Sequence, residues 1–367
     1  MSINLSFTDQ DWERVERAWS AWWEGELERP LVLIQEKIRP AGGGLPRVPK
    51  FTSNFPLSMP ADQVIERVQS HLEATRFYGD AFPKWWINFG PGIMAGFLGA
   101  KVHSVTETVW FEPAEQKAIH DIHPAYDANN IWWQRVQDLT RAAVQRWGSA
   151  VAVGHTDLGG NLDILASLRT TEQLLYELHD TPEEVDRLVR VITKLWLRYY
   201  RELEDIIMPA GRGTTPWAAI WSPKRCYMLQ CDFSYMISPQ MFERFVLPDL
   251  AACCEYLDHA FYHLDGKGEI PHLDMLLSLP RLRGIQWIPG AGSPPPQRWL
   301  PLLKRIREGG KLCQVYVTPA GARRIVRELG GRGFILSINE PMSQAEADDF
   351  LHLLAREDVQ RRQAVQG

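Results

Sequence analysis

Seven residues, Tyr262-His263-Leu264-Asp265-Gly266-Lys267-Gly268, carry the pattern in this chain best suited to chemistry. The largely apolar run 260–264 ends in an imidazole, a carboxylate and two glycines, which reads as a buried strand entering a tight turn. Side chains two apart in a strand share a face. The spacing therefore sets His263 beside Asp265 and sends Leu264 into packing. An imidazole and a carboxylate at a strand end can hold a metal ion or work as an acid/base pair. They can equally be a strand-end His hydrogen-bonded to a turn that Asp265 caps. The residues alone leave these readings open.

The elements that must position them form a long alternation. Apolar runs at 31–34, 85–89, 150–154, 217–221, 260–264, 284–288, 312–317 and 334–338 read as strands, and helical patterns separate them. A further short extended piece falls at 227–230. The runs are continuously apolar, as in strands buried on both faces. Strand–helix alternation argues for a parallel sheet, and eight units argue for a closed (β/α)8 TIM barrel of the α/β class. No G-x-G-x-x-G follows the first strand, which weakens an open dinucleotide-binding sheet. The expected organisation is an N-terminal helical extension at 1–29, the barrel at 30–355 and a flexible tail at 356–367. In the extension, Trp12, Val15, Trp19, Trp22 and Trp23 recur at helical spacing. Thr170 with Gln173, Thr181 with Glu184, and Ser343 with Glu346 fit capping boxes.

In such barrels the reactive groups sit at the C-terminal strand ends. The ends carry Gln35, Glu36, Asn88, His155, Asp157 and Trp221 in the first half of the chain. In the second half they carry His263, Asp265, Gln286, Trp287, Gln314, Tyr316, Asn339 and Glu340. From this polar, partly acidic rim, His263, Asp265 and Glu340 are the expected metal ligands, with His155 and Asp157 in reserve. One nitrogen and two oxygens suit zinc, and also manganese, iron or nickel.

Composition narrows the function classes. Lys and Arg total 40 against 45 Asp and Glu, a net charge of −5 that leaves no footprint for nucleic acid. No apolar run reaches the roughly 18 residues of a membrane span. Residues 1–8 are too short and polar for a signal peptide. The five cysteines include no C-x-x-C pair, which suits a reducing compartment, so the cytoplasm is the expected location. Fifteen tryptophans are many for this length. Trp86, Trp221, Trp287 and Tyr316 could cage a quaternary ammonium group or simply pack the barrel.

Further segments carry a family likeness. His263-Leu264-Asp265-Gly266 followed by 284–292 (Gly-Ile-Gln-Trp-Ile-Pro-Gly-Ala-Gly) resembles the second half of a uroporphyrinogen decarboxylase-like domain. Asn88-Phe89-Gly90-Pro91-Gly92, the stretch 159–165 and Cys231-Asp232-Phe233-Ser234 add to the resemblance, which covers about residues 30–354. It implies a TIM barrel and one of two chemistries. One branch decarboxylates uroporphyrinogen without a cofactor. The other transfers methyl groups between corrinoid proteins and thiols or methylated substrates, through zinc held by a His-x-Cys pair and a later Cys.

The chain departs from both branches. The arginine-rich segment of the decarboxylases is missing from Gln35-Glu36-Lys37-Ile38-Arg39-Pro40-Ala41-Gly42. Asp265 stands where the methyltransferases place cysteine, with Glu340 or Asn339 near the position of the second. The resemblance thus implies a metal-assisted methyl (one-carbon) transferase acting on a small methylated compound, with a cofactor-free decarboxylase as the alternative. Asp157 or His155 would be the general acid/base. Asn88, Asp163, Asp232, Gln286, Trp287 and Tyr316 would position the substrate. A corrinoid protein and a second copy of the chain are the expected partners.

Overall fold

The computed structural model describes residues 3–38 and 44–366, so Arg39 and the glycines at 42 and 43 lie outside the described residues. The strands are β1 (Leu31–Lys37), β2 (Thr75–Gly79), β3 (Lys84–Trp86), β4 (Lys101–Ser104), β5 (Val109–Glu112) and β6 (Ala152–Gly154). They continue as β7 (Cys226–Leu229), β8 (His259–Asp265), β9 (Leu282–Ile288), β10 (Leu312–Val317) and β11 (Phe334–Ile338). Helices alternate with them, among them Ala61–Glu73, Ile131–Trp147, Pro182–Ile207, Leu300–Glu308 and Pro319–Leu329.

The result is a mixed α/β fold with a mostly parallel sheet. The main sheet runs β2-β1-β11-β10-β9-β8-β7, with β2 antiparallel to β1 and the other pairs parallel. β3 and β6 pair in parallel as a separate ladder, and β4 and β5 form an antiparallel hairpin. Ladder hydrogen bonds between described residues therefore do not complete the expected ring.

One expected strand is absent. Residues 217–221 are bent rather than extended, and the parallel strand between β6 and β8 is Cys226–Leu229. The apolar run satisfies its backbone through side chains instead. Lys84 Nζ donates to the carbonyls of Pro216, Trp217 and Ala218, Gln314 donates to Ala219 and Thr215 donates to Ile220. A buried backbone needs partners, but the ladder is one source among several.

The first helix, α1 (Asp9–Trp23), starts at a capping box in which Thr8 and Asp11 exchange hydrogen bonds. Its stripe of Trp12, Val15, Trp19, Trp22 and Trp23 is buried. That stripe covers the starts of the strands. It clusters with Leu31 of β1, Cys226 of β7, Phe261 of β8, Leu312 of β10 and Ile335 of β11. Trp23 stacks on His259, the first residue of β8, at 4.0 Å. The indole N–H groups of Trp19 and Trp23 donate to the carbonyls of Asp80 and Trp221.

Two boundaries differ from expectation, and one helical stretch is divided. Thr181 does not cap its helix by side chain, although Pro182 occupies the first turn as anticipated. After Ser238 the chain forms two helices, Pro239–Phe245 and Leu247–Tyr256, broken at Val246 because Pro248 cannot donate within a continuous helix. The C-terminal helix Gln344–Gln366 runs through the segment expected to fray, pinned where Asp358 accepts from the Gly331 N–H at 2.8 Å.

Candidate functional site

β8 delivers the imidazole and the carboxylate on one face, as its alternation requires. His263 and Asp265 are half-buried, while Leu264 is fully buried on the opposite side. Across the sheet, His263 pairs with Gln286 of β9, and Gln286 pairs with Gln314 of β10. Register thus lines up three polar side chains across β8, β9 and β10.

Their hydrogen bonds have a fixed direction. Gln314 Nε2 donates to the Ala219 carbonyl at 3.1 Å, and a carbonyl can only accept. Gln314 Oε1 is then the atom facing Gln286, and it accepts from Gln286 Nε2 at 2.9 Å. That leaves Gln286 Oε1 against His263 Nδ1, which must be the protonated nitrogen. The lone pair of the neutral ring therefore sits on Nε2. Outer partners of this kind commonly set the tautomer of a metal-binding His. Burial pulls the His263 pKa down, against the opposing effects of Gln286 and Asp265, which favours the neutral ligand form.

The third member comes from the turn after β7. Asp232, His263 and Asp265 each offer a ligand atom, and the three atoms lie within 4.8 Å of one another. Asp163, in the first turn of the helix Asn161–Arg169, holds that turn in place. Its carboxylate accepts the backbone N–H groups of Asp232 at 3.1 Å and Phe233 at 2.7 Å. Desolvation and then the charge of Asp232 push the Asp163 carboxyl upward, and desolvation and then the charge of Asp265 push Asp232 upward. Asp157, beyond β6, accepts from the Gly159 N–H at 2.9 Å and is raised to about 8, by burial first and by Asp232 second. So many carboxyls so close are strained without a compensating cation or proton.

Gly160 shows how tightly the framework closes here. A Cβ at that position would stand 2.1 Å from the Gln230 carbonyl oxygen and 2.8 Å from Asp163 Oδ2.

Other expected residues lie elsewhere. Glu340 is exposed beyond β11 and does not join the three ligand atoms; Asp232 takes that place. His155 is fully buried, stacked on Tyr200 at 4.2 Å, and desolvation pulls its pKa to about 3, so it is a neutral core ring rather than a proton carrier. Trp287 points away from the site and packs on Trp299 at 5.2 Å. Trp221 lies beneath α1, with its N–H on the Arg212 carbonyl. The four aromatic residues suggested as a cage are therefore separated. Only Trp86 and Tyr316 share a cavity. Asn88 lines that cavity too, but its amide is engaged with the Lys50 carbonyl and the Gly90 N–H.

Several functional candidates escaped sequence reasoning. Trp217 places its ring edge-on to His263, with centroids 5.2 Å apart. Glu269 is fully buried, accepts from the Tyr262 hydroxyl at 3.2 Å and is driven well above the usual carboxyl range by desolvation. The Tyr227 hydroxyl braces the loop before Asp157, donating to the Thr156 carbonyl and accepting from the Leu158 N–H. Gln314 belongs to the expected rim, but its place in a hydrogen-bonded row with Gln286 and His263 follows from register that the sequence does not record.

A carboxylate–imidazole–carboxylate set of this kind defines a candidate centre for a divalent cation on a mostly parallel α/β scaffold. No protein-family model matches the chain, and no curated protein matches it. Among solved structures, it is similar to a methyltransferase from Methanosarcina mazei, with a TM-score of 0.61 and 11% identity over 94% of this chain and 98% of the other. At that identity the likeness is one of fold. A B12-independent methionine synthase from Shewanella sp. W3-18-1, solved with selenomethionine, aligns at 12% identity over 74% of this chain and 76% of the other. Its TM-score of 0.33 is too low to bear on the argument.

Proposed function

We propose that Asp232, His263 and Asp265 hold a divalent cation, and that the protein is a metal-assisted methyl (one-carbon) transferase acting on a small methylated compound. The observation that carries this reading is the convergence of the three ligand atoms with the His263 tautomer set by the amide row. The likeness of fold to a methyltransferase is compatible with it.

The donor set fits such an ion. One nitrogen and two oxygens accept zinc and harder divalent metals, and the clustered carboxyls gain from its positive charge. When bound, the ion would supply Lewis acidity and lower the pKa of a coordinated thiol or water. Asp163 would keep the Asp232 turn in position. Asp157, held protonated near neutral pH, would donate a proton to a leaving group. A corrinoid protein is the proposed methyl donor or acceptor.

Cofactor-free decarboxylation of a polycarboxylate fits less well. The cavity beside Asp232 contains Glu112, Asp163 and Asp232, and its described lining includes no basic residue to receive carboxylates.

The test is metal content after reconstitution with zinc, manganese or nickel, followed by competition with a chelator. Wild-type protein and Glu340→Gln should retain a stoichiometric ion. His263→Ala and Asp232→Asn should lose it or bind at least about tenfold more weakly. Equal retention by all four proteins, or none by the wild type, ends the reading.

A further inference from the structure

A second cavity of ≈ 540 Å³ opens between β1, β3 and residues 48–52, with Trp217 and Tyr316 in its walls. It is joined to the triad by its own walls. Trp217 stands edge-on to the imidazole, and Tyr316 approaches Gln286. Its size is that of a small-molecule site.

The walls combine two features. Phe77, Trp85 and Trp86 join Trp217 and Tyr316, so aromatic faces make up part of the wall. Lys37 and Lys50 supply the charge, Lys84 adds a buried amine, and the described lining contains no Asp or Glu. β1 produces this asymmetry by alternation. Gln35 and Lys37 face the cavity, whereas Glu36 turns away to accept from the Tyr78 hydroxyl at 2.6 Å. Lys84 spends its donors on three carbonyls, two of them at 2.9 and 3.2 Å. Those three carbonyls favour the ammonium form, while burial pulls the Lys84 pKa down to about 7, so Lys84 offers a ligand no hydrogen bond and the lasting charge is that of Lys37 and Lys50. Lys37 and Lys50 are exposed and can reach a ligand. The cavity beside Asp232 has the opposite character, with three carboxyl side chains and no cation in its described lining.

We propose that the lysine-lined cavity binds the non-reacting part of the substrate, and that this part is a flat ring bearing a carboxylate or a comparable anion. The inference rests on reading the triad as the reacting centre. Aromatic walls bury the faces of a planar ring. The lysines attract its anionic substituent and repel a quaternary ammonium group, which makes the site selective by rejection as well as by attraction.

The probes are benzoate, benzyl alcohol and phenyltrimethylammonium, titrated calorimetrically into full-length wild type, Lys37→Glu/Lys50→Glu and His263→Ala. Both lysines are exposed, so the double variant should melt like the wild type. Benzoate should bind wild type and His263→Ala alike, and the double variant at least about tenfold more weakly. Benzyl alcohol should bind more weakly than benzoate, and the ammonium should not bind. The proposal is overturned if the ammonium binds as tightly as benzoate, or if charge reversal leaves benzoate affinity unchanged. Because benzoate binding does not need the metal, loss of metal with benzoate retained counts against the triad alone. Metal retained without benzoate binding counts against this cavity alone.

Discussion

The proton on His263 is assigned by a backbone oxygen two side chains away. Ala219 O accepts from Gln314, Gln314 accepts from Gln286, and Gln286 accepts from the imidazole. Replacing Gln314 with Leu removes the anchor and frees the Gln286 amide to turn over. Gln314→Leu should then weaken zinc binding about tenfold, measured by chelator competition, and raise the fraction of Nδ1 lone-pair tautomer seen by nitrogen NMR. An unchanged affinity would show that the row does not orient the ring. At this scale the sequence was partly legible. His263 and Asp265 could be paired because a strand has a period of two and this one ends at glycine. The sequence sets Asp232 among the substrate-positioning residues and Glu340 among the ligands, and nothing local states how far the turn after β7 folds inward to bring Asp232 within 4.8 Å of the other two ligand atoms. That distance depends on Asp163, a residue 69 positions earlier whose two backbone partners are invisible in one dimension.

Among the elements, α1 has the plainest energetic role. Trp19 is fully buried, meets Trp22 and Phe82 edge-on, and places its N–H on the Asp80 carbonyl. Trp19→Ala should cost about 3–5 kcal/mol in urea unfolding; a loss below about 1 kcal/mol would mean that the helix is peripheral to stability. The stripe itself was readable from helical spacing. Its destination was not, because amphipathicity reports that a face is covered without naming what covers it. The reverse error occurred at 217–221, where apolarity suggested a strand. The segment is buried beside α1, but Lys84, Thr215 and Gln314 take its carbonyls, so burial and ladder pairing parted company. At the C-terminus, polar residues such as Arg361 and Arg362 hid a helix that Asp358 fastens from within.

For the molecule as a whole, alternation of strand and helix disclosed a mostly parallel α/β fold; the split between the main sheet and the β3–β6 pair was not disclosed, because apolar runs do not record which neighbours they pair with. Global stability carries a pH signature from a group outside the site. Asp249, between the helices Leu247–Tyr256 and Pro182–Ile207, accepts from the Thr193 hydroxyl and is pushed up to about 7 by burial. An acid whose folded pKa exceeds its unfolded value leaves stability intact below the unfolded pKa, near 4, and removes it as pH climbs through 7. Asp249→Asn keeps the acceptor and cannot ionise. It should raise the melting temperature at pH 8 by an amount equivalent to as much as about 4 kcal/mol, and by far less at pH 4. An equal gain at both values would exclude ionisation as the cause. The tryptophan helix has a corollary for access as well. Indoles cover the ends where the strands begin and the triad stands at the ends where they finish, so whatever binds the triad would arrive and depart on the side away from the tryptophans.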